Sequence, residues 1–264
     1  MNTCAAITRL NTRVEATKSS LCIGLDADLS KVPDGFYDKN YPQFEFNKWI
    51  IDQTHEFAAA YKPNLAFYEA RGSAGWWELE MTMRYLKENY PDIFTIADGK
   101  RADIGSTNIN YAVEIFENLG FDATTLHPYV GQEALQPFLD YKDKVSVILC
   151  KTSNPGSGEF QDLLVEGVPL WKVVARQVSH KWNGNNNCML VVGATYPETL
   201  KEVRQEIGDM WMLVPGVGEQ GGEMKTVIEK GVSSPGKGVL VNVSRGIIFS
   251  DDPHMLAQSF ARGV

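Results

Sequence analysis

Val145-Ser-Val-Ile-Leu-Cys-Lys151 and Met189-Leu-Val-Val-Gly-Ala194, with a helical pattern over 170–181 between them, decide how this chain is read. Both runs are short and almost continuously apolar, as parallel strands become when helices cover one side and a packed interior the other. Strands that alternate with helices imply βαβ units and a parallel sheet. The same alternation runs along the chain. Strands are expected near 21–26, 61–67, 94–100, 123–127, 145–151, 189–194, 211–215 and 239–243. Helices are expected near 45–60, 74–89, 107–119, 132–140, 170–181, 197–207, 221–230 and 253–261. Eight such units match the size of a (β/α)8 TIM barrel. A doubly wound open sheet would place a glycine-rich turn after the first strand, and Asp26-Ala-Asp-Leu-Ser30 is not one. No low-complexity tract or Pro/Gly/Ser linker divides the chain, so residues 1–264 are expected to form a single domain. Ile7, Leu10 and Val14, at helical spacing, predict a leading N-terminal helix.

The 264 residues are 44% hydrophobic and 22% charged, ordinary for a soluble globular protein. A net charge of −8 disfavours nucleic acid as a partner, because such binding needs a basic face. A small anionic substrate needs only a local cluster of donors and stays open. No apolar run reaches the ~18 residues of a membrane span, so no membrane partner is expected. Cys4, Cys22, Cys150 and Cys188 are scattered with no C-x-x-C pair, which points to a reduced, cytoplasmic setting.

Chemistry in a (β/α)8 barrel belongs at the C-terminal ends of the strands. Asp26, Lys100, Asp103, His127, Lys151, Ser153, the 216–220 loop and Arg245 fall at or just beyond the expected ends, while Lys62 falls early in its strand. The connections 27–44 and 153–169 are long, as lids and binding loops are.

The most informative segment is Ile96-Ala-Asp98-Gly-Lys100-Arg-Ala-Asp103-Ile-Gly-Ser-Thr107. Asp98 and Lys100 are two apart on a strand, so both are expected on the face that lines the barrel interior near its open end. An isolated charge there would neutralise. A row of opposite signs stays ionised, each contact at ~4 Å being worth roughly 4 kcal/mol before desolvation. The plain alternative is an ion pair that only closes the barrel top. Asp103 follows five residues on, Lys62 comes from the second strand and Asp26 from the first. Five charged groups converging on one rim are more than stability requires.

D-x-K-x-x-D-I-x-x-T after a third strand resembles the signature of the orotidine 5′-phosphate decarboxylase family, which completes UMP synthesis. Gly24-Leu-Asp26 is similar to that family's first-strand aspartate, Lys62-Pro-Asn64 to its second-strand lysine, the 215–222 stretch to its phosphate loop, and Ser244-Arg245-Gly246 to its last-strand arginine. The wording D-G-K-R-A-D-I-G-S-T and Lys151-Thr-Ser-Asn-Pro-Gly156 resembles the longer bacterial branch. The resemblance extends over nearly the whole chain. It implies removal of CO2 from carbon 6 of a pyrimidine nucleotide without metal or cofactor. It implies that Lys100 protonates the carbanion left behind and that Asp98 faces the departing carboxylate. By the same resemblance, Asp26 and Lys62 hold the ribose hydroxyls and complete the charge row, and Ser153 reads the pyrimidine edge. Asp103 and Thr107 sit too far along the chain to share the lysine's face. The resemblance implies that they reach the other subunit's site in a homodimer with shared active sites. Charge physics suits this role for Lys100, since neighbouring carboxylates hold an ammonium protonated. Such an ammonium can stabilise negative charge as it develops and then deliver a proton.

The glycine-rich loop has its own argument. Gly216, Gly218, Gly221 and Gly222 let backbone N–H groups approach an anion at the start of a helix. Gln220 offers a donor and Arg245 a planar fork suited to phosphate. The alternative is a turn with a surface arginine. His127 is read as a locally packed histidine, and His55, His180 and His254 have no ligand spacing, so no metal site is expected. Two other functions compete. One is a sugar-phosphate lyase or aldolase on a related barrel, an enzyme type that often uses Mg2+. The other is a catalytically silent barrel that binds nucleotides, against which the complete set Asp98, Lys100 and Asp103 argues.

Overall fold

The computed structural model describes residues 4–218, 222–233 and 236–263. Eight parallel strands close into a barrel: β1 Leu21–Gly24, β2 Ala58–Lys62, β3 Phe94–Arg101, β4 Ala123–Leu126, β5 Val145–Lys151, β6 Cys188–Val192, β7 Met212–Pro215 and β8 Val239–Val243. Each strand pairs with its sequence neighbour, and β1 closes the ring by pairing Leu21, Cys22 and Ile23 with Val241, Asn242 and Val243 of β8. The longer helices are α1 Ala5–Thr17, α2 Pro42–Thr54, α3 Gly72–Asn89, α4 Gly105–Ala112, α5 Gly131–Leu139, α6 Leu170–Gln177, α7 Pro197–Ile207, α8 Met224–Gly231 and α9 Pro253–Ala261. The expected (β/α)8 barrel with a leading helix is what forms.

Local chemistry explains several boundaries. α2, α7 and α9 begin with proline, whose fixed φ suits the first helical position and whose missing N–H is not needed there. Asp252 caps α9 by accepting the Met255 N–H at 2.8 Å. α4 and α6 run on into π-helical turns, Val113–Asn118 and Val178–Trp182.

Alternation along β5 and β6 sorts their core residues into two layers. Val145, Val147 and Leu149 of β5 and Met189 and Val191 of β6 share an inner cluster with Ile7, Leu10 and Val14 of α1. Ile148, Cys150, Leu190 and Val192 instead join the layer between strands and outer helices. α1 plugs the end of the barrel where the strands begin: Arg13 Nε donates to Ala58 O at 3.0 Å and Trp211 Nε1 to Asn11 Oδ1 at 3.2 Å. The open end is therefore the one where the strands finish.

The second unit differs from expectation. The helix expected over 45–60 stops at Thr54, and the strand expected over 61–67 lies earlier, at Ala58–Lys62. Phe67 falls instead in a short helix, Ala66–Glu69. Alanine favours helices, but burial decides here: all five β2 residues are buried, and Ala59 and Ala60 fill the barrel interior. The shift places Lys62 at the C-terminal end of its strand, with the other candidate residues. The 153–169 connection holds a turn at Pro155–Ser157, a short helix Gly158–Gln161 and an antiparallel ribbon pairing Leu164–Val165 with Val168–Pro169. Among the described residues no helix is long and apolar enough to cross a membrane.

Candidate active site

A row of alternating charge lies across the open end of the barrel. Lys62 Nζ is 2.9 Å from Asp98 Oδ2, and Lys100 Nζ is 2.7 Å from Asp98 Oδ1. Thr125 on β4 ties the row together: its hydroxyl donates to Asp98 Oδ1 at 2.9 Å and accepts the Lys100 N–H at 2.9 Å. Backbone bonds from Asp98 N to Pro63 O and from Leu65 N to Asp98 O carry the β2–β3 pairing past the end of β2. That extension sets Asp98 beside Lys62.

Simple alternation does not explain how Lys100 arrives. The β3–β4 register shifts between Ala97 and Arg101, and Lys100 has φ 45°. A left-handed backbone is uncommon for a residue with a side chain, and such strain collects at functional sites. The bulge swings Lys100 onto Asp98, and Thr125 holds it there. Gly99 is required by a close approach, since a Cβ would stand 2.7 Å from Leu65 Cδ1.

The buried Lys62–Asp98 pair favours its ionised form. Burial alone would raise the Asp98 pKa, but Lys62 and Lys100 more than reverse this and hold the carboxyl well below the usual range. Burial alone would lower the Lys62 pKa, and Asp98 and Asp26 push it above the ordinary lysine value. The Lys62 and Asp98 side chains are 5% and 10% exposed, whereas that of Lys100 is 46% exposed. A buried pair thus anchors an ammonium that reaches outward.

Two cavities meet on this row. The larger, about 940 Å³, has Lys62, Asp98, Lys100 and Thr125 in its lining, together with Ser153, Asn154 and Gln161 from the long connection and apolar Leu149, Trp171, Val191 and Leu213. The smaller, about 250 Å³, is lined by Asp26, Asn64, Gly216, Gly218, Asn242, Ser244 and Arg245. Lys62, Asp98 and Pro215 belong to both. A ligand with a flat group in one and an anion in the other would lay its middle across the charge row. Asp26 Oδ1 is buried there without a hydrogen-bond partner, so it can accept a ligand hydroxyl.

Most candidate residues converge. Asp26, Lys62, Asp98, Lys100, Ser153, Gly218 and Arg245 all line one cavity or both. Asp103 and Thr107 do not, so four charges rather than five gather within one chain. Asp103 Oδ1 accepts the Ile104 N–H at 2.7 Å, beyond the strand, and Thr107 is exposed on α4. Gly216 and Gly218 have φ of 100° and 81°. The Gly218 N–H donates to Gly222 O and the Gly222 N–H to Gly216 O. These two N–H groups are therefore engaged within the chain, against the expectation that both would be free to meet an anion, while Gly218 still lines the smaller cavity. Gln220 and Gly221 lie outside the described residues.

His127 lines the larger cavity, where burial and then the Lys100 charge lower its pKa, favouring the neutral imidazole. Among the described residues no group of three or more His, Cys, Asp or Glu is placed to hold a metal ion. Sequence reasoning missed Thr125 and Asn242. For Asn242 the signal was a polar residue near the end of an otherwise apolar strand; Thr125, beside Thr124 in Ala-Thr-Thr-Leu, had no such signal. Asn242 is oriented by the Cys22 thiol, which donates to its Oδ1 at 3.5 Å, while its Nδ2 donates to Ser244 Oγ at 3.3 Å. Gly24 makes room for Ser244, whose Oγ would lie 1.9 Å from a Cβ at that position.

Comparison with known proteins gives a consistent picture. The sequence pattern of the orotidine 5'-phosphate decarboxylase / HUMPS family matches residues 19–260. The chain is 44% identical over 260 residues to the orotidine 5'-phosphate decarboxylase of Cellvibrio japonicus, covering 98% of this chain and 94% of the relative. It is 46% identical over 242 residues to the protein of that name in Flavobacterium johnsoniae, covering 92% and 88%. Among solved structures it resembles the OMP decarboxylase of Leishmania donovani, with a TM-score of 0.87, 39% identity and coverage of 98% and 96%. It also resembles the UMP synthase of that organism, with a TM-score of 0.90 and 40% identity over 98% of this chain, and spans 56% of that longer chain.

Proposed function

The chain belongs to the orotidine 5'-phosphate decarboxylase / HUMPS family, and from that premise we propose that it converts orotidine 5′-phosphate to UMP and CO2 in pyrimidine biosynthesis, without metal or cofactor. The observation that carries this reading is the Lys62–Asp98–Lys100 row at the junction of the two cavities. The phosphate fits against Arg245 and the glycine loop, the ribose over Asp26 and Lys62, and the pyrimidine in the larger cavity with its edge toward Ser153.

In that pose the carboxylate at carbon 6 faces Asp98, an anion that two lysines keep ionised. The bond from carbon 6 to the carboxylate breaks, its electron pair stays on carbon 6, and CO2 leaves. Lys100 gives that carbon a proton and recovers one from solvent. Its ammonium is held in place beforehand, so it stabilises the developing charge with little reorganisation. Contacts to the remote phosphate orient the reacting ring.

The working form in this reading is a homodimer in which Asp103 and Thr107 enter the partner's site. Ile104 and Ile109 are exposed beside them, and exposed apolar surface of this kind marks association sites. Four free, buried cysteines accord with a cytoplasmic setting. The test is ultraviolet absorbance of orotidylate mixed with purified protein, with and without a chelator. The expected result is conversion at the same rate in both. No conversion overturns the reading, and conversion that stops with chelator favours a metal-dependent lyase or aldolase.

A further inference from the structure

Lys151 closes β5, yet it lines neither cavity and has no part in the reaction above. Its side chain is only 3% exposed, and a buried ammonium without a partner is costly. Asp162 Oδ1 lies 2.7 Å from its Nζ, and the Tyr196 ring centroid lies 4.9 Å away. Among the described residues Asp162 is the one carboxylate within ion-pair distance of it. Asp162 stands at the far end of the short helix in the 153–169 connection, so the pair joins the strand to the segment that follows it.

Further bonds fold the same segment. Gln161 Oε1 accepts the Thr152 N–H at 2.9 Å, and Gln161 Nε2 donates to Thr152 Oγ1 at 2.8 Å. Tyr196, just ahead of α7, meets Ser157 through its hydroxyl at 3.4 Å. Ser153 is pressed against Gly193, where a Cβ would stand 2.8 Å from the Ser153 Cα. Residues 151–162 thus form a turn closed at its base by two adjacent rungs, the Gln161 amide on Thr152 and the Lys151–Asp162 ion pair.

We propose that Lys151 and Asp162 are positioning residues: their ion pair holds the 153–169 connection folded over the end of β5, so that Ser153 and Asn154 face the base cavity. The inference rests on the decarboxylase reading for its kinetic consequence. The Asp162 side chain is 53% exposed, so the pair is a buried cation held by a partner at the rim. Without that carboxylate, Lys151 gains most by reaching water, and the segment above it must move for that to happen.

Asp162→Asn keeps shape and removes charge, and Asp162→Glu restores charge. For Asp162→Asn, KM for orotidylate and the Kd for UMP should rise about tenfold or more while kcat stays within about threefold, the signature of lost uniform binding. Chymotrypsin should cut faster at the exposed Phe160, Leu163 and Leu164. Asp162→Glu should recover most of both properties. KM within about twofold of wild type in Asp162→Asn overturns the proposal, as does Asp162→Glu being as impaired as Asp162→Asn. A wild-type protein inert toward orotidylate overturns the decarboxylase reading instead. Cleavage rates then decide the clasp: acceleration by Asn and not by Glu supports it, and no acceleration overturns it.

Discussion

Replacing Asp98 by asparagine keeps the side chain's outline and removes the charge that Lys62 and Lys100 share. Lys62 then stays buried with Asp26 as its remaining acidic neighbour. Removing one partner of a buried ion pair costs about 3–5 kcal/mol. At roughly 2–4 °C per kcal/mol for a chain of this size, Tm should fall by roughly 6–20 °C. The pH dependence adds a sign. In the wild type the Lys62 pKa is raised, so its contribution is complete below the unfolded lysine value of roughly 10.4 and is lost as pH rises through the folded value. The Asp98 pKa is lowered, so its contribution is complete above roughly pH 4 and is lost as pH falls through the folded value. Between those limits the pair gives the wild type no slope. In Asp98→Asn the main opposition to burial is gone, and burial pulls the Lys62 pKa down. The unfolded chain then binds more protons than the folded one, so the variant's stability rises with pH. Thermal unfolding followed by circular dichroism at about pH 6 and about pH 9 reads both effects. A Tm within about 2 °C of wild type at both values would refute the claim that the row is one interdependent unit.

Arg245→Ala should weaken UMP binding by about 1.5–3 kcal/mol, the scale of a charged hydrogen bond; titration calorimetry showing unchanged affinity removes Arg245 from the phosphate site. Gly193→Ala places a Cβ 2.8 Å from Ser153 backbone atoms, and should lower Tm by overpacking of about 1–3 kcal/mol and weaken UMP binding with it. If neither changes, Ser153 is not held by that contact. Mixing Lys100→Ala with Asp103→Ala chains should restore activity, because one of the two sites in a mixed dimer is then intact. Mixed dimers as inactive as either parent count against shared sites.

Much of this architecture was legible because most β strands carry their own hydrophobic signal. β5 and β8 were bounded correctly, their runs being nearly continuous in apolar residues. β2 was not, because Ala58-Ala-Ala has no strand signal of its own and the barrel's need for small interior side chains decided it. Asp98 and Lys100 were readable as opposite charges at a strand end, whereas Lys62, early in its expected strand, reaches the rim only because β2 lies at Ala58–Lys62. The left-handed turn at Lys100 was not readable, since nothing local announces it; it depends on Thr125 from the next strand. Asp103 counts among the rim charges by sequence yet sits too far along the chain to share the Lys100 face, and it lines neither cavity, its Oδ1 accepting the Ile104 N–H instead. The Lys151–Asp162 clasp spans eleven residues of an irregular connection, where no periodicity exists to read.

The proton that ends on carbon 6 comes, in this mechanism, from Lys100. Lys100→Ala leaves the buried Lys62–Asp98 pair intact, so the variant should fold and still bind UMP. Its conversion of orotidylate, followed by ultraviolet absorbance, should fall by at least about a hundredfold. A folded, UMP-binding variant that decarboxylates within about tenfold of the wild-type rate would contradict the assignment of that proton to Lys100.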